Sequence, residues 1–294
     1  MVLAAGFGTR LRPLTDELPK PLLPIGDRSL LEHAIESFRG AGLGESLVVN
    51  VHHLASEFER RLASFSAQLE LVFEPTLRGT AGGIAGARAR LGPAPIAVMI
   101  GDALLDPVPP DFADSAGDGG LVLAIQPRSA GSGNLGVGAQ GEVVRLRGER
   151  FGREVAGGEY VGLCALGTRA LAELPEFGCL IGDYALPVLR AGGRVSTFPF
   201  PGAALFAGDD VPGLFQANLH WLERRQTTRF VASNARVARE VTLDRALVGE
   251  FAEVEGQGSL SRVVVLPRAK CRAPLSDAIV LPSGRVINLN TTNG

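Results

Sequence analysis

The sequence predicts an α/β fold, in which a mostly parallel sheet carries helices on both faces, followed by a short parallel β-helix. Up to about residue 225, short apolar runs alternate with segments of helical period, which is typical of a parallel sheet with crossover helices. Residues 96–101 (IAVMIG) are continuously apolar, as expected of a central strand that is covered on both faces. Four short repeats after residue 226 indicate the β-helix.

The strands and helices of the first part can be assigned in order. Strands are predicted at residues 2–5, 46–51, 69–73, 96–101, 121–126, 159–166 and 194–200, and helices at residues 29–43, 55–65 and 213–225. The first helix has the clearest ends, because Ser29 and Glu32 form a capping box and Gly42 suits a C-terminal stop. Ligands of such sheets bind beyond the carboxyl ends of the strands. The loop after Ala5 and the side chain of Asp102 are therefore predicted to share a site.

The tail contains four eight-residue repeats that start at residues 230, 247, 264 and 279. Each begins with an apolar pair, has a small residue in sixth place and ends on an apolar residue. A small residue at one fixed point suits a tight corner, and stacked coils bury each apolar face on the next coil. We therefore predict a first domain at residues 1–226 and a hexapeptide-like β-helix at residues 227–294. An irregular β-rich tail is the alternative.

Composition excludes several classes of protein. The formal net charge is −2, so no basic surplus points to nucleic acid as a partner. No apolar run approaches the ~20 residues of a membrane helix, and the chain start does not have the pattern of a signal peptide. The three cysteines show no CxxC pairing, which fits a reducing compartment. We expect a cytoplasmic protein without membrane contact.

The segment LAAGFGTRLRPLTDELPKPLLPI, near the start of the chain, indicates phosphate chemistry. Gly6 and Gly8 follow a strand, so backbone N–H groups there can approach an anion without obstruction by side chains. The segment has neither the third glycine of the dinucleotide fingerprint nor the G-K-[ST] of a P-loop. Instead it supplies Arg10, Arg12 and a lysine, Lys20, whose backbone is restricted by two flanking prolines. Such cations can stabilise the negative charge that develops in phosphoryl transfer. For Arg12, a purely structural role in bracing the loop is an equal alternative to phosphate binding.

The same segment resembles the signature G-x-G-T-R-x-x-P-L-T…P-K-P of the sugar-1-phosphate nucleotidyltransferases, also called nucleotide-sugar pyrophosphorylases. Further matches follow in the same order, at LRGTAGGI (77–84), IGD (100–102), EYVGLCALGTRAL (159–171) and QANLHWL (216–222). The resemblance covers about residues 2–225, and several members of the family also carry a C-terminal β-helix. The mannose-1-phosphate guanylyltransferase-like members are nearest in layout.

The resemblance implies a Rossmann-like domain of the nucleotide-diphospho-sugar transferase type. It implies a reaction in which an NTP and a hexose 1-phosphate give a nucleotide-sugar and pyrophosphate, with GTP and mannose 1-phosphate as the first expectation. Nucleoside binding is implied for Leu3, Ala4 and Gly6, and for a loop that contains Gly79, Thr80 and Gly82. Triphosphate binding is implied for Gly8, Thr9 and Arg10.

The resemblance also assigns catalytic, metal and sugar-binding roles. Arg10 would stabilise the leaving pyrophosphate, Lys20 would bridge phosphates, and Asp102 would bind Mg²⁺. Sugar contacts are implied for Gly136, Glu149 and Gly162. The β-helix tail itself is expected either to pack subunits of a homo-oligomer or to carry a regulatory surface.

Two departures from the family pattern leave alternatives open. Ala207 stands where the family has a second metal-binding aspartate. Either Asp209 or Asp210 replaces that aspartate, with Asp209 as our choice, or the second carboxylate is missing. A lost carboxylate would weaken Mg²⁺ binding. In the sugar site Arg150 follows Glu149 where the family often has a lysine. These departures support a rival hypothesis, a catalytically weak regulatory paralogue that binds a nucleotide-sugar and acts through subunit assembly.

Overall fold

The computed structural model describes residues 1–43, 46–63, 69–93, 95–105, 108–200, 202, 204–206, 208 and 210–289. The chain divides into two compact units. Unit 1 consists of Met1–Gly6 and His33–Leu205, and unit 2 consists of Phe7–Glu32 and Phe206–Gly294. The sequence-based domain boundary near residue 226 remains a prediction.

The described residues form more helices than the three predicted from the sequence. The helices are α1 Leu14–Glu17, α2 Leu30–Gly40, α3 Ala55–Arg61, α4 Gly79–Ala87, α5 Thr168–Glu173, α6 Leu186–Arg190 and α7 Val211–Arg224. Short 3₁₀ turns occur at Thr9–Leu11, Lys20–Leu22 and Ala113–Ala116, and a π-helical turn occurs at Leu180–Ala185. The helices α1, α4, α5 and α6 are not among the three predicted, and α4 begins in the glycine-rich stretch that resembles a loop of the family. None of the helices in the described part of the chain is long and apolar enough to cross a membrane.

The strands are β1 Val2–Leu3, β2 Pro24–Ile25, β3 Arg28–Ser29, β4 Leu47–Val51, β5 Leu69–Phe73, β6 Ile96–Ile100, β7 Ala103–Leu105, β8 Leu121–Arg128, β9 Leu135–Val137, β10 Val143–Leu146, β11 Glu149–Arg150, β12 Ala156–Leu166, β13 Ser196–Pro199, β14 Ala204–Phe206, β15 Arg229–Val231, β16 Arg236–Val237, β17 Val241–Asp244, β18 Ala246–Val248, β19 Glu253–Val265, β20 Lys270–Val280 and β21 Val286–Asn288.

Unit 1 is built on a mixed sheet whose central part is parallel. The order is β11-β10-β9-β12-β6-β1-β4-β5, with β8 paired to β12 and to β13. Strands β5, β4, β1 and β6 run parallel to their neighbours, whereas β12 runs antiparallel to β6. All five residues of β4 are buried, as expected of a strand covered on both faces. The predicted α/β class is therefore confirmed.

The capping box at the start of α2 is confirmed in detail. The backbone N–H of Ser29 donates to Oε2 of Glu32 at 2.7 Å, and the backbone N–H of Glu32 donates to Oγ of Ser29 at 3.2 Å. The helix ends at Gly40, and Gly42 has a φ of +72°. Since this left-handed conformation costs glycine little, Gly42 provides the predicted stop.

The β-helix is also confirmed, with the register that the repeats predict. The first residues of the four repeats pair in parallel, as Phe230 with Leu247, Leu247 with Val264, and Val264 with Ile279. The last spacing is 15 residues instead of 17, and the β19–β20 pairing shifts register between Gly256 and Leu260 to absorb the difference. The inward residues form an apolar core with exposures of 9% or less, so each coil buries its face on the next.

Candidate active site

The carboxyl ends of β1 and β6 lie side by side in unit 1. The backbone N–H of Gly101 donates to the carbonyl of Leu3 at 2.8 Å. A Cβ at Gly101 would stand 2.8 Å from that carbonyl oxygen, so only glycine allows this approach. The contact places Asp102, a partly exposed residue, directly after the residue that donates to Leu3, at the start of the Ala4–Gly6 segment. Leu3, Ala4 and Asp102 thus lie at the same edge of the sheet.

A buried polar pair, which sequence reasoning missed, holds this edge together. Asn50 and Glu74 are 3% and 4% exposed, and Nδ2 of Asn50 donates to Oε1 of Glu74 at 2.6 Å. Oδ1 of Asn50 accepts from the backbone N–H of Ala4 at 2.9 Å, while Oε2 of Glu74 accepts from the backbone N–H of Arg78 at 3.2 Å. The pair therefore connects the ends of β1, β4 and β5 with the start of α4. A signal was available, because Asn50 and Glu74 are polar residues at the ends of two apolar strands.

The glycines at 79 and 82 lie in the first turn of α4, not in a loop as predicted. Gly79 has a φ of +75°, and a Cβ there would stand 2.5 Å from the carbonyl oxygen of Gly178. A Cβ at Gly82 would stand 2.4 Å from the carbonyl oxygen of Glu176. The carbonyl of Gly178 also accepts from the N–H groups of Ala81 at 2.9 Å and Gly82 at 3.5 Å. Close packing of residues 176–178 thus explains these glycines, and two helix N-terminal N–H groups are already bound.

An apolar pocket of about 110 Å³ opens in unit 1 between these elements. Its wall includes three residues that sequence analysis placed in the substrate site, Leu3, Thr80 and Gly162. Gly162 has a φ of +79°, and a Cβ there would stand 2.3 Å from Cδ1 of Ile100. A side chain at position 162 would therefore fill space next to the pocket.

Two groups beside the pocket stay uncharged. Burial raises the pKa of the Cys164 thiol to about 12 and raises the pKa of the Tyr160 hydroxyl well above its ordinary value. Both residues line the pocket, so they present neutral groups to it at neutral pH.

The other predicted sugar residues have structural partners. Glu149 pairs with Arg190 of α6, through Nε at 2.9 Å and also through Nη2, and this hydrogen bond lowers the pKa of Glu149. At Gly136 a Cβ would stand 2.6 Å from the carboxyl group of Glu154. Nearby, Nδ2 of Asn134 donates to Oε1 of Glu159 at 2.8 Å. The structure therefore gives Gly136 a packing role and engages the Glu149 carboxylate in an ion pair.

The cationic part of the signature lies in unit 2. Gly8 has a φ of +62°, and a Cβ there would stand 2.9 Å from Cβ of Lys20. The carbonyl of Gly8 accepts a hydrogen bond from Oγ1 of Thr15 at 3.0 Å. The structure thus places the glycine turn against the Cβ atom of Lys20, which lies in the second 3₁₀ turn. The exposed residues Thr9 and Arg10 directly follow the glycine turn.

Arg12 has an ion pair within the same segment. Its Nε lies 3.2 Å from Oδ1 of Asp16, and both side chains are more than half exposed. This pair joins Arg12 to α1, which supports the bracing role among the two that sequence analysis left open.

Comparisons with known proteins identify the family. Residues 1–133 match the family model described as Nucleotidyl transferase. The N-acetylmuramate alpha-1-phosphate uridylyltransferase of Caulobacter vibrioides is 31% identical over 230 residues, which cover 71% of this chain and 91% of that protein. The chain belongs to the nucleotidyl transferase family.

Other members of the nucleotidyl transferase family match over shorter stretches. The mannose-1-phosphate guanylyltransferase of Mycobacterium tuberculosis is 37% identical over 107 residues, 35% of this chain and 30% of that protein. The chain likewise spans only 47% of the matched uridylyltransferase from Neisseria meningitidis. The crystal structure of HddC from Yersinia pseudotuberculosis has a TM-score of 0.61 at 19% identity and covers 75% of this chain and 97% of its own. This last likeness shows a shared fold.

Asp102 is the predicted metal ligand that lies within the described residues of this nucleotidyl transferase. Mg²⁺ prefers oxygen ligands and is usually held by one or two carboxylates together with substrate phosphates. The partly exposed Asp102 at the sheet edge fits such a ligand. Asp209, the second predicted ligand, lies outside the described residues, as does Ala207. Asp210 caps α7, since its Oδ1 accepts from the backbone N–H of Gly213 at 2.8 Å. Within the described ranges, no three His, Cys, Asp or Glu side chains are grouped for a metal ion.

Proposed function

We propose that this protein transfers a nucleotidyl group from an NTP to a hexose 1-phosphate. An oxygen of the sugar phosphate attacks the α-phosphorus, the bond to the β-phosphate breaks, and pyrophosphate leaves. The observation that carries the proposal is the contact between Gly101 and Leu3, because it sets the start of the glycine segment beside Asp102 at the strand ends. Family membership supports the same reaction.

The chemistry needs charge neutralisation more than proton transfer. The nucleophile is already an anion, so no general base is required, and positioning with electrostatic stabilisation can supply the rate. Arg10 and Lys20 are the cations proposed to stabilise the phosphates and the leaving pyrophosphate. Mg²⁺, when bound, would supply further neutralisation, and Asp102 is the residue proposed to hold it.

The substrate pair is part of the proposal. GTP with mannose 1-phosphate is the pair expected from the layout of the sequence. UTP is a second candidate for the nucleotide substrate, because the relative matched over 91% of its own length is named a uridylyltransferase. Its sugar substrate, N-acetylmuramate 1-phosphate, therefore belongs among the candidates.

The test is pyrophosphate release in the presence of Mg²⁺. GTP, UTP, dTTP, ATP and CTP are each paired with the 1-phosphates of mannose, glucose, galactose, N-acetylglucosamine and N-acetylmuramate. We expect turnover on one or a few pairs. If a nucleotide-sugar binds but no pair turns over, the regulatory hypothesis replaces this one.

Lys20→Ala and Asp102→Asn test the proposed roles. Each is expected to lower kcat by roughly 100- to 1,000-fold, about 3–4 kcal/mol, as removal of one preorganised electrostatic contact does. Matched controls are Lys270→Ala, on an exposed β-helix side chain, and Asp111→Asn, at an exposed position before Ala113–Ala116. Parent-like turnover in both site variants would refute the assignment.

A further inference from the structure

The pocket of about 110 Å³ in unit 1 is unusually apolar for a site that handles sugars. Val98, Ile100, Leu180 and Ile181 supply aliphatic surface to its wall, and none of the described residues that line it carries a charge. A hexose exposes mainly hydroxyl groups, each of which needs a hydrogen-bond partner when it is buried. The pocket therefore suits a different part of a substrate.

The few polar atoms on the wall already have partners. Oγ1 of Thr80 accepts from the backbone N–H of Leu180 at 2.7 Å. The hydroxyl of Tyr160 and the thiol of Cys164 interact with each other. Nη2 of Arg147 donates to Sγ of Cys179 at 3.7 Å. A hydroxyl placed in this pocket would find few further hydrogen-bond partners on the wall, whereas a methyl group needs none.

The position of the pocket connects it to the sheet edge of the candidate site. Leu3 and Ile100, both on its wall, directly precede Ala4 and the Gly101–Asp102 pair. Gly162, also on the wall, leaves the pocket open because it has no side chain. A nucleobase is a poorer occupant, since its edge carries several donors and acceptors that this wall would leave unpaired.

We propose that this pocket receives a methyl-bearing substituent of the sugar 1-phosphate, such as an acetyl, a lactyl or a deoxy-methyl group. The proposal rests on the proposed nucleotidyl transfer and narrows its substrate to hexose phosphates that carry such a group. The size of the pocket is below that of the ~150 Å³ cavity that holds a benzene molecule in an engineered protein. It therefore suits a group of a few heavy atoms.

Matched pairs of substrates separate the three sources of the methyl group. The value of kcat/KM is compared for glucose 1-phosphate against 6-deoxyglucose 1-phosphate. It is also compared for glucose 1-phosphate against N-acetylglucosamine 1-phosphate, and for N-acetylglucosamine 1-phosphate against N-acetylmuramate 1-phosphate. We expect at least one pair to favour the methyl-bearing member by about tenfold or more, as one apolar group in a fitted pocket does. Ratios at or below one in all three pairs would overturn the proposal while leaving nucleotidyl transfer established.

A pocket-filling variant tests whether the pocket causes the preference. Ile181→Phe should bring the favoured ratio close to one, and Cys179→Leu is a second filler in case Ile181→Phe does not fold, as checked by circular dichroism. The matched control is Val155→Phe, which adds an aromatic ring at an exposed position in unit 1 that does not line the pocket and should keep the parent's ratio. A ratio that persists in folded filling variants also overturns the proposal.

A binding measurement keeps the test independent of turnover. The Kd values of UDP-glucose and UDP-N-acetylglucosamine, and of their GDP counterparts, are measured by calorimetry on the parent chain and on Ile181→Phe. Tighter binding of the acetylated member by the parent, lost in the variant, supports the pocket even if no pair is turned over. Equal Kd values for the two sugars, combined with no preference in turnover, count against it.

Discussion

At the scale of single residues, the Asn50–Glu74 pair is the polar contact on which the sheet edge most depends. Both side chains are buried, and they bind each other and the backbone of Ala4 and Arg78. A buried donor left without an acceptor costs about 1–3 kcal/mol. The pair thus does more than fill space, because each of its bonds fixes a backbone segment next to the candidate site.

Glu74→Ala is expected to lower the free energy of unfolding by roughly 2–3 kcal/mol, because it leaves the amide of Asn50 and the N–H of Arg78 without their acceptor. Urea denaturation measures the loss. The matched control is Glu70→Ala, which removes a carboxylate that pairs with Arg90 on the surface and should cost at most about 1 kcal/mol. Equal losses in the two variants would show that the buried network is not the source of the stability.

Residue by residue, sequence analysis succeeded where the interaction is local. The bonds between Ser29 and Glu32 join residues three apart, so their spacing alone predicts them. Glu74 and Asn50 are 24 residues apart, and their pairing depends on the neighbouring positions of β4 and β5. The glycines of α4 misled the prediction for the same reason, since the carbonyl groups that require them come from Glu176 and Gly178, about a hundred residues later.

At the scale of elements, the β9–β10 hairpin is fastened by one ion pair. Nε of Arg145 donates to Oε2 of Glu154 at 2.9 Å, and the backbone N–H of Gly131 donates to Oε1 of Glu154 at 2.7 Å. Arg145 also donates to carbonyl oxygens before and within β9. These bonds, chiefly the one from Arg145, lower the pKa of Glu154 to about 2.

Glu154→Gln is expected to destabilise the protein at pH 7 and to do so less as the pH falls. Because the folded-state pKa of Glu154, about 2, lies below its ordinary value of 4.5, the carboxylate's stabilisation is complete above pH 4.5 and is lost toward pH 2. The gap in stability between parent and variant is measured from their urea midpoints at pH 7, 5, 4 and 3. Glu173→Gln, at an exposed pair with Arg169, is the control. A gap that stays constant or widens toward pH 3 would contradict the assignment.

The coils of the tail were the elements best predicted from sequence. Their register follows from repeat spacing because each coil pairs only with its neighbours. The β-helix corners also recur, with left-handed backbone at Phe251, Arg268 and Gly284, and again at Arg245, Arg262 and Asp277. Only Gly284 of these shows the usual preference for glycine, so composition alone could not have located the corners.

At the scale of the whole molecule, the chain path makes the signature segment part of the same unit as the tail. Residues 7–32 and 206–294 form unit 2. Within it, the carboxylate of Glu17 accepts from the backbone N–H of Ser283 at 2.8 Å and from its hydroxyl at 2.6 Å. Asn218 of α7 accepts from the backbone N–H of Gly26 at 2.9 Å. The tail therefore supports the segment that carries Arg10 and Lys20, and no local pattern could have predicted contacts across 266 residues.

Glu17→Ala is expected to loosen this support without unfolding the chain. Loss of the two bonds should cost about 1 kcal/mol, which raises the local opening equilibrium roughly fivefold. Hydrogen exchange measured by mass spectrometry should become faster in peptides from residues 7–32 and 281–289. Glu59→Ala, on exposed α3 of unit 1, should leave these peptides unchanged. Unaltered exchange in Glu17→Ala would show that the contact does not hold the segment.

The direction of β21 has a consequence for self-association. Strands β15 to β20 stack in parallel, and a parallel outer coil would offer another copy a template for continuing the ladder into a fibre. After a turn at Gly284, β21 runs antiparallel along the last three residues of β20, Ala278–Val280. An antiparallel strand pair has a different hydrogen-bond pattern from the parallel coils beneath it. The parallel ladder is therefore interrupted where β21 pairs with β20. The reversed strand thus blocks another copy from continuing the parallel ladder at Ala278–Val280.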